Sequence, residues 1–274
     1  MIEYSNGIHT ISNEAYHANK AISRSMLMEM KRSPYHYWYK HLSGFAVKEE
    51  PTPAMNLGSA VHTFTLEPLK FESEFFVCTQ QTKPREGTAP HDAMTKEANG
   101  RIILTKSQAD QASSMSLAIK LNDDASLLLS GCAVEQSIFF THENTGLQCK
   151  ARPDALSGSV VIDLKTSSDA SKIAFEKSAY RYGYYLQAGM MYNALASIGK
   201  TLEEYVFVVV EKEAPFCVAI YTLKDDALEY GIQQFDDLMS NLKKCTDIYH
   251  WPSYGIQDLG LPGYAKFDEL MEIE

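Results

Sequence analysis

Long apolar runs are missing from this chain of 274 residues. No stretch approaches the roughly 20 residues needed to cross a bilayer, and the opening MIEYSNGIHT has neither the basic region nor the apolar stretch of a signal peptide. A membrane-spanning or secreted protein is thereby disfavoured, and a soluble cytoplasmic one is expected. Cysteine is sparse and scattered: Cys78, Cys132, Cys149, Cys217 and Cys245 show no CxxC spacing. This argues against a disulfide framework or a thiolate zinc site and for reduced core thiols. Any metal would then be held mainly by oxygen ligands. Basic residues are also short, with 25 Lys and Arg against 35 Asp and Glu, a net charge of -10. A polyanion partner normally requires the opposite balance, unless the cations are gathered in one channel and the acids coat the exterior. No internal repeat or low-complexity segment is present.

What is present is enough apolar and aromatic residue, 45% and 11% of the chain, to bury a substantial core. One domain over 1–274 is expected, mainly helical through 125, with a core of sheet and helices over 126–250 and a tail over 251–274. Ser23 or Ser25 caps a helix through Met26, Leu27 and Met30 that ends near Ser33-Pro34, and a second helix covers Ala54 to Leu66. Residues 79–100, polar and containing two prolines and two glycines, read as a loop or irregular helix. A helix from Ser107 to Leu121 precedes three strand-like runs, Ala133 to Thr141, Leu147 to Leu156 and Val160 to Thr166, whose short connections predict an antiparallel meander. Helices over Ala170 to Lys177 and Tyr180 to Ile198, strands over Tyr205 to Glu211 and Cys217 to Thr222, and a helix over Asp225 to Thr246 follow. The order gives an α/β domain with a central mixed sheet flanked by helices.

Two carboxylates on neighbouring strands carry the chemistry. Asp154 lies in Arg152-Pro153-Asp154, Asp163 in Val161-Ile162-Asp163-Leu164-Lys165, and a Ser-Gly-Ser turn joins them. Pairing about that turn sets the two acids nearly opposite one another, close enough to share an ion. Strand alternation puts Asp163 and Lys165 on one face. The Leu164 backbone carbonyl remains as a further oxygen ligand, a donor set that suits Mg²⁺. For Asp163 alone, an ion pair with Lys165 or simple exposure is the blander explanation; the hairpin with Asp154 and the lysine in register favour a metal site. Such a site supports phosphodiester hydrolysis, with Lys165 orienting the attacking water.

With these residues the chain resembles the RecE-like exonucleases, a branch of the PD-(D/E)xK nuclease superfamily. The resemblance rests further on Ile22-Ser23-Arg24-Ser25 with Leu27 and Ser33-Pro34, on Gly58-Ser59-Ala60-Val61-His62, on Thr82-Lys83, and on Gln187 in Tyr184-Tyr185-Leu186-Gln187-Ala188. It implies a restriction-endonuclease-like core, His62 as a metal ligand beside Asp154, Asp163 and the Leu164 carbonyl, and Gln187 as a catalytic partner. The family's Gln is usually followed four residues later by Tyr; here that position is Met191, with Tyr192 next to it. Glu135, on the preceding strand, reads as a supporting or second-metal carboxylate or as an exposed acid. Arg24, Lys150, Arg152 and Lys172 read as phosphate contacts or ordinary surface charges. The resemblance implies Mg²⁺-dependent (Mn²⁺ substituting) 5′-to-3′ digestion of linear duplex DNA in a bacterial cytoplasm, for phage or prophage recombination. The 3′ strand passes to a single-strand annealing protein of RecT or Bet type, and the enzyme forms a homo-oligomeric ring, a trimer or tetramer. A RecB-type or endonucleolytic nuclease, a catalytically silent docking module and an acidic DNA mimic are the competing readings.

Overall fold

The computed structural model describes residues 4–47, 49–78 and 83–261. Local side-chain chemistry sets many element boundaries. Ser33 ends α2 (Arg24–Arg32) in an extended conformation and then caps α3 (Pro34–His41), its Oγ accepting from the His36 N–H while Pro34 fills the first turn. α1 (Asn13–Ala18) is capped by Ser12, and α4 (Pro53–Leu66) by Thr52 with Pro53 behind it. α5 (Phe71–Glu74) is a single turn. α7 (Lys106–Leu121) begins in a capping box between Thr105 and Gln108, and α8 (Asp123–Leu129) is capped by Asn122.

Three strands interrupt the part through 125, which was expected to be mainly helical: β1 (Gly7–His9), β2 (Phe75–Cys78) and β3 (Ile102–Thr105). Each is three or four residues long, too short for alternation to register in the sequence. The segment expected as a loop or irregular helix over 79–100 is irregular over 83–88 and then helical as α6 (Ala89–Ala98), which tolerates Pro90 because a first-turn N–H has no helical partner. Thr82 lies outside the described residues.

The principal sheet runs β10-β9-β8-β7-β4, using β4 (Ala133–Val134), β7 (Ala155–Ser157), β8 (Val160–Ser167), β9 (Glu204–Glu211) and β10 (Val218–Thr222). β8 and β9 are parallel, and the other pairs are antiparallel. A second sheet runs β1-β5-β6, with β5 (Ser137–Thr141) and β6 (Gln148–Ala151), and β2 pairs β3 in parallel. The expected meander is right in its pairing but divided between two sheets. Ala133 pairs Leu156, Val134 pairs Ala155 and Ile138 pairs Ala151, one register on both sides of a gap. The gap lies where Pro153 has no N–H to donate and Glu135 takes a left-handed φ of 51°. There the hairpin leaves one sheet and enters the other, with the Glu135 N–H still donating to the Asp154 carbonyl.

Two cores lie on either side of the principal sheet. Val161 faces one built with α9 (Lys172–Tyr182), α10 (Tyr184–Ser197) and α11 (Asp225–Asp247); Ile162 and Leu164 face the other, with α4 and α7. The break between α9 and α10 falls at Gly183, with φ 70°, and not near residues 178–179 as the sequence suggested. α10 crosses α11 where Gly189 meets Gly231, so closely that a Cβ on either would run into the other helix's backbone.

Candidate active site

The gap in the bent hairpin creates the site. Extending the β7–β8 register by one pair beyond Ala155–Ile162 sets Asp154 opposite Asp163, and Glu135 lies opposite Asp154 on the other side. Three carboxyl-bearing residues therefore occupy one row across three strands. Asp154 Oδ2 accepts from the Leu164 N–H at 2.7 Å. Because the N–H and C=O of an extended residue point to the same side of its strand, the Leu164 carbonyl faces that same edge.

The residues group into two neighbouring clusters. In the first, His62, from the C-terminal half of α4, has Nδ1 3.5 Å from Asp154 Oδ1. Glu135 completes a triplet whose ligand atoms all lie within 4.8 Å of one another. One imidazole nitrogen and two carboxylates, half-buried and close together, form a donor set suited to a divalent cation. In the second, Asp163 is fully buried, its Oδ2 ion-paired with Lys165 and its Oδ1 accepting from Gln187 Nε2 at 2.8 Å. Asp163 and Lys165 share a face, as strand alternation requires. Gln187 reaches them from α10. Asp163 lies outside the tight triplet, so the structure sets its carboxylate toward the lysine and Asp154 toward the histidine.

Burial, opposed by Lys165 and reinforced by Asp154, raises the Asp163 carboxyl above its ordinary range. Burial and then the Asp154 charge push Glu135 up to about 7, against the pull of Arg152. Burial is the larger cause of both shifts, and the neighbouring Asp154 charge adds to each, a part that a divalent ion would relieve.

Cations gather next to the row. A cavity of about 560 Å³ is lined by Tyr16, His17, Arg24, Lys150, Arg152 and Gln187, among others. Arg152 bridges the two features: its Nη1 lies 3.7 Å from Glu135 Oε2, its guanidinium stacks 4.0 Å from the Tyr16 ring, and Nε and Nη2 donate to Ser137 Oγ. Lys150 donates to the carbonyls of Tyr16 and Asn19 and is 4% exposed, so its charge is committed to holding the N-terminal segment. Arg24 donates to the Tyr182 carbonyl at the cavity rim. Lys172 is not brought to this place; it lies beside Glu176 and lines a separate cavity with Tyr221. Tyr192 is 39% exposed, five residues along α10 from Gln187 on a different face, and Met191 is buried in the core.

Two aromatic residues escaped the sequence reading as parts of the site. Tyr184 lies under Lys165, 4.8 Å from ammonium to ring. Its signal was available: it stands three residues before Gln187, on the same helical face. Tyr16 supports both Arg152 and Lys150 from more than a hundred residues away, and no local pattern could reveal that.

A family model described as a PDDEXK-like domain of unknown function (DUF3799) matches residues 23–258. No curated protein matches the chain. Among solved structures, a protein from Eubacterium rectale described as a candidate exonuclease superposes with a TM-score of 0.62 at 16% identity, covering 88% of each chain. SSO0001 (TM-score 0.28, 19% identity, 79% of this chain and 86% of that one) and LHK-Exo in complex with dAMP (0.30, 13%, 60% and 85%) are too distant to carry an argument. The first superposition shows a shared fold. The family match spans α2, the His62 helix, the carboxylate row and Gln187, and the chain belongs to this family of PDDEXK-like domains.

Proposed function

We propose that the protein is a divalent-metal-dependent exodeoxyribonuclease that digests linear duplex DNA 5′ to 3′ and leaves 3′ single strands. One observation carries the reading: a buried Asp163–Lys165 pair and a His62–Glu135–Asp154 triplet meet beside a cation-lined cavity. His62, Asp154 and Asp163, with the Leu164 carbonyl and Glu135, would hold Mg²⁺, or Mn²⁺ in its place. Bound there, the ion lowers the pKa of a water and neutralises charge growing on the phosphate.

The chain's own groups do the rest. Gln187 fixes the Asp163 carboxylate, and Tyr184 supports the Lys165 ammonium, which would orient water and stabilise charge on the phosphate. Arg24 offers a guanidinium group to strand phosphates in the cavity, and Arg152, held by Ser137 and Asn13, adds its charge to the wall. A homo-oligomeric ring, trimer or tetramer, with the cavities turned inward would reconcile a net charge of -10 with a polyanionic substrate. The resulting 3′ strand is suited to a single-strand annealing partner of RecT or Bet type in phage or prophage recombination, in a bacterial cytoplasm.

The test is digestion of linear, nicked and covalently closed circular DNA with Mg²⁺, using strands labelled at either end. Loss of linear DNA from the 5′ ends, blocked by EDTA, is expected. Rapid loss of closed circles, or no cleavage of any form, overturns the exonuclease reading.

A further inference from the structure

The corner between α9 and α10 carries exposed tyrosines interleaved with cations, beginning at the active site. Tyr184, beneath Lys165, lies 6.1 Å from Tyr182, ring centre to ring centre, and Tyr182 is 49% exposed with the Arg181 guanidinium 5.6 Å from its ring. Two residues earlier Tyr180 is 60% exposed; the Lys31 ammonium is 5.3 Å from its ring, and Tyr230 of α11 stacks behind it at 6.5 Å. α2 runs along this corner. Its Arg24 donates to the Tyr182 carbonyl, its Met28 packs where Gly183 has no Cβ, and its Lys31 reaches Tyr180. Positions 24, 28 and 31 form one helical stripe, about 10 Å from first to last at the rise of an α-helix.

We propose that this corner binds the single-stranded DNA adjoining the scissile phosphate, with bases stacking on Tyr182 and Tyr180 and phosphates meeting Arg24, Arg181 and Lys31. The proposal rests on the nuclease reading above for its substrate. Large aromatic side chains exposed beside cations are costly to leave in water and serve single strands well, since every base offers a flat face and every nucleotide a charge. Charge selects the occupant: the three cations face an anionic chain. Asp226 lines a shallow pocket with Tyr180, Tyr185 and Tyr230, and its charge would end a phosphate track there. None of these tyrosines touches the carboxylate row except through Tyr184, so the surface extends the site without duplicating it.

The experiment is fluorescence anisotropy of a labelled oligothymidine with the full chain in EDTA, where binding is read without cleavage. Tyr182→Ala and Tyr182→Leu should each weaken binding by ~5-fold or more, the value of one lost base stack, while Tyr182→Phe binds like the parent. Tyr180→Ala should weaken it similarly. Lys31→Ala should lower the slope of log affinity against log salt by roughly 0.7. Retained folding of each variant is checked by its melting temperature. Unchanged binding in the alanine and leucine variants, equal loss in Tyr182→Phe, or no oligonucleotide binding by the parent overturns the proposal. Tyrosine-dependent binding by a chain that cleaves nothing would uphold this surface and sink the nuclease reading instead.

Discussion

Asp163 and Lys165 are two residues apart on one strand, and their pairing explains how a charge survives in the centre of the molecule. The buried carboxylate is held by the ammonium and by Gln187, so the ion pair is a resting arrangement that a metal would reorganise. Lys165→Ala should lower turnover at least ~100-fold, the scale of losing one group that stabilises transition-state charge, while duplex affinity changes much less; single-turnover kinetics beside a binding titration checks this. Lys150 gives a residue-scale prediction in pH. Burial, and then the Arg152 charge, push its ammonium down to about 8. The unfolded chain, with an ordinary lysine, then holds more protons between about 8 and 10.5, so this residue's contribution to stability rises with pH across that window. Comparing urea unfolding of the parent with Lys150→Met at pH near 7.5 and 9.5 should show a gain of up to about 2 kcal/mol in the parent alone. The difference between the two proteins removes the contributions of other groups, such as Tyr16, which burial pushes up to about 12.

At the scale of elements, the site depends on how α10 is seated. Gln187 reaches Asp163 only because α10 packs tightly on α11, and that packing needs Gly189 and Gly231 at the crossing. A methyl group there meets backbone and not a flexible side chain, so the helices must separate. Gly231→Ala should cost about 3 kcal/mol or more, beyond the usual range for overpacking because neither helix can yield locally; thermal unfolding measures it. Gln187 should also lose its hold on Asp163, so the surviving folded fraction should cleave poorly. The bent hairpin is the second such element. Its break falls at Pro153 and Glu135, next to Asp154, whose carboxylate lies 3.5 Å from His62.

For the molecule as a whole, crowded carboxyl groups make the metal-free state more costly than it need be. The carboxyl groups of Glu135 and Asp163 are both raised, by burial first and then by the charge of Asp154. A divalent ion that binds only the folded chain should raise its stability by RT ln(1 + [L]/Kd), about 2.7 kcal/mol at a hundredfold excess over Kd. Mg²⁺ is therefore expected to raise the melting temperature of the parent and to leave Asp154→Asn unmoved. A rise of equal size in both would remove Asp154 from the ligand set. Among the described residues no helix is long and apolar enough to cross a membrane.

How much could be read in advance follows from the range over which each feature is determined. Alternation along VVIDLK set Asp163 and Lys165 on one face, the Ser-Gly-Ser turn set Asp154 against Asp163, and Ser33-Pro34 marked a helix boundary; each is a matter of a few residues and local stereochemistry. The strands too short to show a period, the division of one hairpin between two sheets and the break at Gly183 were not legible, because pairing partners and packing decided them. The same holds within the site. The sequence nominated His62, Glu135 and Gln187, but only the assembled chain brought α4, the hairpin and α10 to one point, put Tyr16 beneath Arg152 and left Lys172 elsewhere. Chemistry along a strand is written in consecutive residues. Chemistry between elements belongs to the packing, which depends on contacts between residues far apart in the chain.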